Sequence, residues 1–196
     1  MSTLYRIDDI GASTKHFNQH GKKWFSLFGK KVIYFPFANF WFFKIIPPFR
    51  KWAKYDEVTA DEWKTFLEIF EQNNIVPIIA ITASWVDEKS NLTPFPEKFP
   101  NQASLLKEAF LNGKIIVANH GLTHCIVGKH LPLFWKSNRQ YHREFLSDLD
   151  QTVHTEHILK SQEILENFFG KPVEILVPPG NMWSVKTYRS LSGTNI

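Results

Sequence analysis

Two adjacent aspartates, a pair of histidines four apart and a Pro-Pro-Gly turn are the residues of this chain best suited to chemistry. Asp8 and Asp9 close the run LYRIDD, His120 and His124 bracket NHGLTH, and Pro178, Pro179, Gly180 and Asn181 follow VEILV. A carboxylate with two imidazoles is a ligand set for Zn²⁺ or a similar divalent ion, leaving positions open for water and substrate. The remaining carboxylate, Asp8 or Asp9, is then free to take a proton from water. Histidines four apart share a face if the segment after the strand coils into a helical turn. Each piece alone is common: adjacent aspartates often make only a turn, and HxxxH often marks a solvated helix face. Their joint occurrence at three strand ends is what points to a metal-assisted site.

The elements that must position these residues alternate in type. Leu4 to Asp9 reads as a strand delivering the two acids into a loop. Thr59 is the predicted N-cap of a helix, with Glu62 as its capping-box partner and Trp63, Phe66, Leu67 and Phe70 as its apolar face. Ile75 to Ile81 reads as a buried strand that Pro77 makes irregular or places at an edge. Residues 84–101 read as a loop, Ala103 to Leu111 as a helix stopped at Gly113, and Lys114 to Ala118 as a strand. Leu149 to Phe169 is predicted to be a long helix ending at Gly170, Val173 to Val177 a further strand, and Ser184 the start of a last short helix. Helices alternating with apolar strands imply an α/β fold with a parallel sheet or barrel, in which C-terminal strand ends meet on one rim.

Length and composition set the outer bounds. The 196 residues suffice for one domain and are few for two, so 1–196 is read as a single unit. A hydrophobic fraction of 43% with 21% charged residues excludes a disordered or fibrous chain. Cys125 is the sole cysteine, which excludes a disulfide scaffold and a four-thiolate zinc module. It reads as a small buried residue, since no base is paired with it. MSTLYRIDDIG has no basic-then-apolar leader, and no apolar run approaches the ~20 residues of a spanning helix. The expectation is a soluble, cytoplasmic protein. Between Ile10 and Tyr55 there are nine cations and no acid, interleaved with Phe and Trp. Such a stretch suits an anionic glycan groove, a membrane interface or nucleic acid, or else is a basic insertion at about 15–55 whose aromatics fill the core. No nucleic-acid module is recognisable, and none is expected as a partner.

With these motifs in place, the chain resembles the polysaccharide deacetylases (carbohydrate esterase family 4, the NodB-homology fold). RIDDIG is similar to the Asp-Asp motif on that family's first strand, NHGLTH to its paired-His motif and VPPGN to its third, proline-containing motif. The flanking ITASWVDEKSNLTPFPEKFP, NHGLTHC, YHREF and SQEILENFFGKPVEILVPPGN look closest to deacetylases of bacterial O-antigen and surface-polysaccharide clusters. The resemblance covers residues 4 to 190. It implies a distorted, incomplete (β/α) barrel and removal of an N-acetyl group from a sugar, free or linked to a nucleotide, phosphate or lipid carrier. It makes Asp8 the catalytic base and Asp9, with His120 and His124, the ligands of one divalent metal, zinc first, with cobalt, nickel or manganese as alternatives. The oxyanion role falls to the backbone N–H of Gly180.

Two departures stand out. Val177 occupies the place of the Arg that orients the base in that family, with Arg139 or Arg143 as candidate replacements. The family's general-acid His, in a Leu-x-x-His context on a late strand, has no counterpart before Ile196, which reads as a truncated C-terminus. His142 is the candidate stand-in. His16, His20, His130, His154 and His157 match no motif, and the last two are expected on the exposed face of the long helix. Trp85 and Trp183 flank the predicted rim, either to stack on a sugar or to fill the core. Arg143 and Asn181 complete the candidate substrate contacts. The gap left by missing strands is expected to be covered by the 15–55 insertion, its cations facing a carrier phosphate at the inner membrane face. A homodimer closing the same gap is the alternative.

Overall fold

The computed structural model describes residues 3–18, 24–33, 57–131 and 139–196. The first strand, β1 (Arg6–Ile10), is followed by α1 (Ser13–Asn18) and by a hairpin of β2 (Trp24–Leu27) and β3 (Lys30–Ile33). Then come α2 (Ala60–Gln72), β4 (Ile78–Ile81), β5 (Ser84–Val86), β6 (Leu92–Pro94), α3 (Phe95–Lys98) and α4 (Pro100–Leu111). Strand β7 (Ile116–Asn119) leads to a 3-10 turn at Arg139–His142 and to the long helix α5 (Gln151–Phe169). A second 3-10 turn at Pro179–Asn181 and α6 (Val185–Arg189) complete the order.

The parallel sheet runs β1-β4-β7, with Ile7 beside Ile79 and Ile79 beside Val117. The expected α/β class with parallel strands is therefore what the chain adopts. Ile79, Ile81 and Val117 pack with Trp63, Leu106, Leu165 and Phe169 in the main core, beneath α2, α4 and α5. On the other face Ile78 and Ala80 meet Ala118 and Val177 in a smaller cluster. Strand β4 is buried on both faces, as a central parallel strand must be. Each fully buried Ile, Leu or Phe contributes about 1.5–3 kcal/mol relative to an exposed one.

Local signals explain the helix ends. The Thr59 hydroxyl accepts the Glu62 N–H at 3.2 Å while the Glu62 carboxylate accepts the Thr59 N–H at 2.8 Å, closing the capping box at the start of α2. Its Trp63 is fully buried, whereas Phe66 is exposed and gives only an edge contact to the Trp63 ring. Helix α5 ends at Gly170 as expected.

Several expectations need correction. Pro77 precedes β4 rather than lying inside it, so its missing N–H costs no ladder bond, and its carbonyl accepts the Ile116 N–H at 2.9 Å. The strand is central, not an edge. Residues 84–101 are not a plain loop but the β5–β6 hairpin, α3 and the first turn of α4, with Pro100 at a first-turn position that needs no N–H. The strand expected over Val173–Val177 is reduced to a single parallel bridge, Leu176 to Asn119, flanked by Asn119 N–H to Ile175 O and Val177 N–H to Asn119 O. Within the basic aromatic stretch, the described residues form α1 and the β2–β3 hairpin rather than irregular structure alone. The expectation that this insertion covers the site, its cations facing a carrier, lies otherwise outside the described residues.

Candidate metal centre

The strand ends do converge. Thr82 N–H reaches Ile10 O and His120 N–H reaches Ile81 O, each at 2.9 Å, so the C-terminal ends of β1, β4 and β7 form one rim. Strand β1 carries an irregularity there: Ile7 pairs with Ile79 but Ile10 with Ile81. The extra residue is a bulge, and Asp9 takes a left-handed backbone (φ 65°), which turns its side chain toward β7.

Asp9 Oδ1 lies 3.0 Å from His120 Nε2 and 2.9 Å from His124 Nε2. The three donor atoms all fall within 4.8 Å of one another. On its other side the His120 ring stands 2.7 Å from the Val177 carbonyl oxygen, which only accepts, so Nδ1 carries the hydrogen. In the neutral ring Nε2 then points a lone pair at a carboxylate oxygen. Two acceptors in contact call for a cation between them, and a carboxylate with two imidazoles is a set that suits zinc-type ions. The His124 Nδ1 meets the Thr14 hydroxyl of α1 at 3.2 Å, so both rings are held from behind. With no ion between them the rings can carry protons instead: burial acts to raise the Asp9 pKa, but hydrogen bonds from His120 and His124 and the charges of His124 and Lys15 then outweigh it. The carboxylate is held well below the usual range, with Lys15 Nζ 3.7 Å from Oδ2.

Asp8 is gripped by Arg6, two residues earlier on the same strand. Arg6 Nη2 donates to Oδ2 at 2.8 Å, and Nε stands 2.8 Å from Oδ1 without hydrogen-bond geometry. That Oδ1 is shielded from water and, among the described residues, has no hydrogen-bond partner. Among the described contacts the cation against Asp8 is Arg6, two residues before it. Arg143 instead lays its stem over Gly180, with Cγ 3.1 Å from where a Cβ would be. Gly180 (φ 61°) and the exposed Asn181 (φ 53°) turn the chain sharply after Val177.

The histidine pair does not lie on a helical turn, the condition under which residues four apart would share a face. Residues 121–124 form an irregular loop in which His124 is left-handed (φ 58°). Ala83 N–H and Ser84 N–H bond to the Gly121 and Leu122 carbonyls at 3.0 and 2.7 Å, tying the loop to the β5–β6 hairpin. Asn119 Oδ1 accepts the Gly121 N–H at 2.9 Å, and its Nδ2 donates to Ser161 and Gln162 of α5. Trp85, one residue beyond these ties, packs edge-on against Phe99 with Lys98 over its ring. Trp183 is 63% exposed beside the Gly180 turn, so the two tryptophans differ: one packs, one faces solvent. His142 is buried in a turn whose Tyr141 carbonyl accepts Ile126 N–H at 2.8 Å, next to the ligand loop. Burial, reinforced by the charge of Glu144, pushes the Cys125 thiol up to about 12, leaving it inert at neutral pH.

The histidines of α5 do not lie on the exposed face expected for them. His154 is fully buried, bonded to Thr187 Oγ1 and to the Leu146 carbonyl, each at 3.0 Å. It lies four residues before Ile158 on the helix's core stripe. His157 is half-buried, its Nδ1 2.6 Å from Glu144 Oε1. Burial pulls the His157 pKa down, but the hydrogen bond and charge of Glu144 win and raise it above the usual histidine value. The stabilisation from this pair is complete below about pH 6.5, the unfolded-state value, and is lost as pH rises through the higher folded value. Urea unfolding of the native chain and of His157→Gln is expected to show a stability gap that shrinks from pH 6 to pH 9. A gap that widens over that range would contradict the assignment.

Comparison with known proteins places the chain in a family. No curated protein matches the chain. Among solved structures it is similar to a pseudoenzyme of carbohydrate esterase family 4 from Bacillus anthracis, at 11% identity and a TM-score of 0.48, over 70% of this chain and 37% of that one. A mutant of that pseudoenzyme with restored activity gives the same identity and TM-score. A family 4 carbohydrate esterase from Streptomyces lividans, in complex with acetate, is 16% identical with a TM-score of 0.43, over 68% of this chain and 52% of that one. The chain thus spans about half or less of the length of these proteins. The polysaccharide deacetylase family model matches residues 50–195, taking in the histidine loop and the Pro-Pro-Gly turn, while Asp8 and Asp9 precede it and reach the site through the fold. Over most of its length, this chain belongs to the polysaccharide deacetylase family.

Proposed function

We propose that the protein is a metal-dependent N-deacetylase acting on an N-acetylated sugar, serving bacterial surface-polysaccharide (O-antigen or capsule) biosynthesis. The observation that carries this reading is the meeting of Asp9, His120 and His124 at the rim, with Asp8 next in the chain. Those three side chains would hold one divalent ion, zinc first, with cobalt, nickel and manganese as alternatives. When bound, such an ion polarises the acetyl carbonyl and acidifies water. Asp8 takes the proton of the attacking water, oriented by Arg6. The Gly180 N–H donates to the oxyanion that forms as water adds to the acetyl carbon. The C–N bond then breaks, acetate departs, and the amine leaves with a proton for which His142 is the candidate donor. Trp183 offers an open ring face for the sugar, with Arg143, Asn181 and Trp85 as the further candidate contacts.

The cation-rich stretch 15–55 suits a phosphate- or lipid-linked sugar at the inner membrane face, with a single domain or a homodimer presenting it. Among the described residues no helix is long and apolar enough to cross a membrane. A second reading is a domain that binds metal and glycan without efficient catalysis, favoured by Val177 standing at the family's Arg position. Acetate release separates the two. The zinc-loaded chain is expected to free acetate from N-acetylated oligosaccharides, and chelator treatment to stop it until metal is restored. Tight metal and glycan binding without acetate would establish the second reading.

A further inference from the structure

The ligand loop is held by a buried carboxylate from the flanking YHREF segment, to which none of the readings above gives a role. Glu144 is 1% exposed. Its Oε1 accepts the Leu122 N–H at 2.8 Å and His157 Nδ1–H at 2.6 Å. Its Oε2 accepts the Thr123 N–H at 3.2 Å and the His124 N–H at 2.8 Å. Four donors fill the roughly four lone-pair sites of a carboxylate, and three of them are consecutive amides of one loop. The approach is so close that a Cβ at Gly121 would overlap Oε2 and stand 2.9 Å from both Glu144 Cδ and Pro179 Cγ, while φ there is 79°. A buried carboxylate without partners is expensive, and the His157 ring offsets it from α5.

We infer that Glu144 is a positioning residue: its carboxylate folds residues 121–124 so that the left-handed His124 aims Nε2 at Asp9. An amide bonded to a carboxylate is fixed more tightly than one left to water, and three together leave the loop one shape. His157 supplies the counter-charge that keeps the carboxylate buried. This rests on the reading of Asp9, His120 and His124 as metal ligands.

The test uses the full chain and the metal alone. Glu144→Gln keeps the volume but turns one acceptor into a donor facing the loop amides. Co(II) titration followed by visible absorption is expected to show affinity 10–100-fold weaker than wild type and an altered spectrum. Glu144→Asp, one methylene short, is expected to fall between them. Glu163→Gln, on the exposed side of α5, is expected to leave both unchanged. In the metal-free chain, the amide protons of Leu122, Thr123 and His124 are expected downfield in wild type and displaced upfield in Glu144→Asp. Wild-type Co(II) affinity and spectrum in both Glu144 variants, even with lowered thermal stability, would overturn the inference. If wild type itself fails to bind Co(II), the metal reading falls. The amide shifts then decide the loop role of Glu144 by themselves.

Discussion

His124→Ala is expected to leave the chain folded and strip it of its divalent ion. A four-ligand zinc site is worth about 10–16 kcal/mol, so one protein ligand carries roughly 3–4 kcal/mol, on the order of 10²–10³-fold in affinity. His124 meets Asp9 Oδ1 at 2.9 Å through Nε2 and is anchored by Thr14 on the far side, and among the described residues only Asp9 and His120 share the site with it. Its ring sits at a partly open rim rather than in the main core, so truncation leaves Ile79, Ile81 and Phe169 packed as they were. Mass spectrometry under native conditions reads the outcome directly. One ion per chain in wild type and none in the variant is expected, with acetate release lost in parallel; unchanged stoichiometry would dismiss the ligand set.

Asp8→Asn should act in the opposite way, keeping the ion and losing the reaction. Asp8 bonds to neither histidine among the described contacts but to Arg6, which keeps it apart from the ligand set. An amide at that place keeps the shape and cannot take a proton, a loss of roughly 10²–10⁴-fold in kcat. Asp9→Asn, by contrast, should weaken metal binding itself. Zinc content and acetate release measured on both variants decide the matter. If the two behave alike in both assays, the division of labour between neighbouring aspartates is wrong.

Much of this site was legible from residue spacing, and the rest was not for physical reasons. Strand ends after LYRIDD and KIIVA could be read from their apolar runs, and the convergence of Asp9 with the histidines follows from parallel strands sharing a rim. The Arg6–Asp8 pair was also available, since residues two apart on a strand share a face. His154 was recoverable too, lying in phase with Ile158, Leu165 and Phe169. Glu144 was not. It acts through three backbone amides some twenty residues away, and no side-chain pattern encodes a bond to an N–H. The hairpin at 84–94 and the reduced strand at 173–177 were missed because short extended segments are decided by tertiary pairing more than by local preference.

The left-handed backbone at Asp9 and His124 bears on which side chains those two positions accept. Few side chains tolerate φ near 60°, and asparagine is among the best of them, with aspartate and histidine close behind. Exchange of Asp9 for asparagine therefore removes a charge without asking the bulge to refold. The shape of the rim and the reactivity of the rim are separately mutable. One exchange at Asp9 can remove the rim's carboxylate while leaving its backbone path, and the reverse exchange restores it.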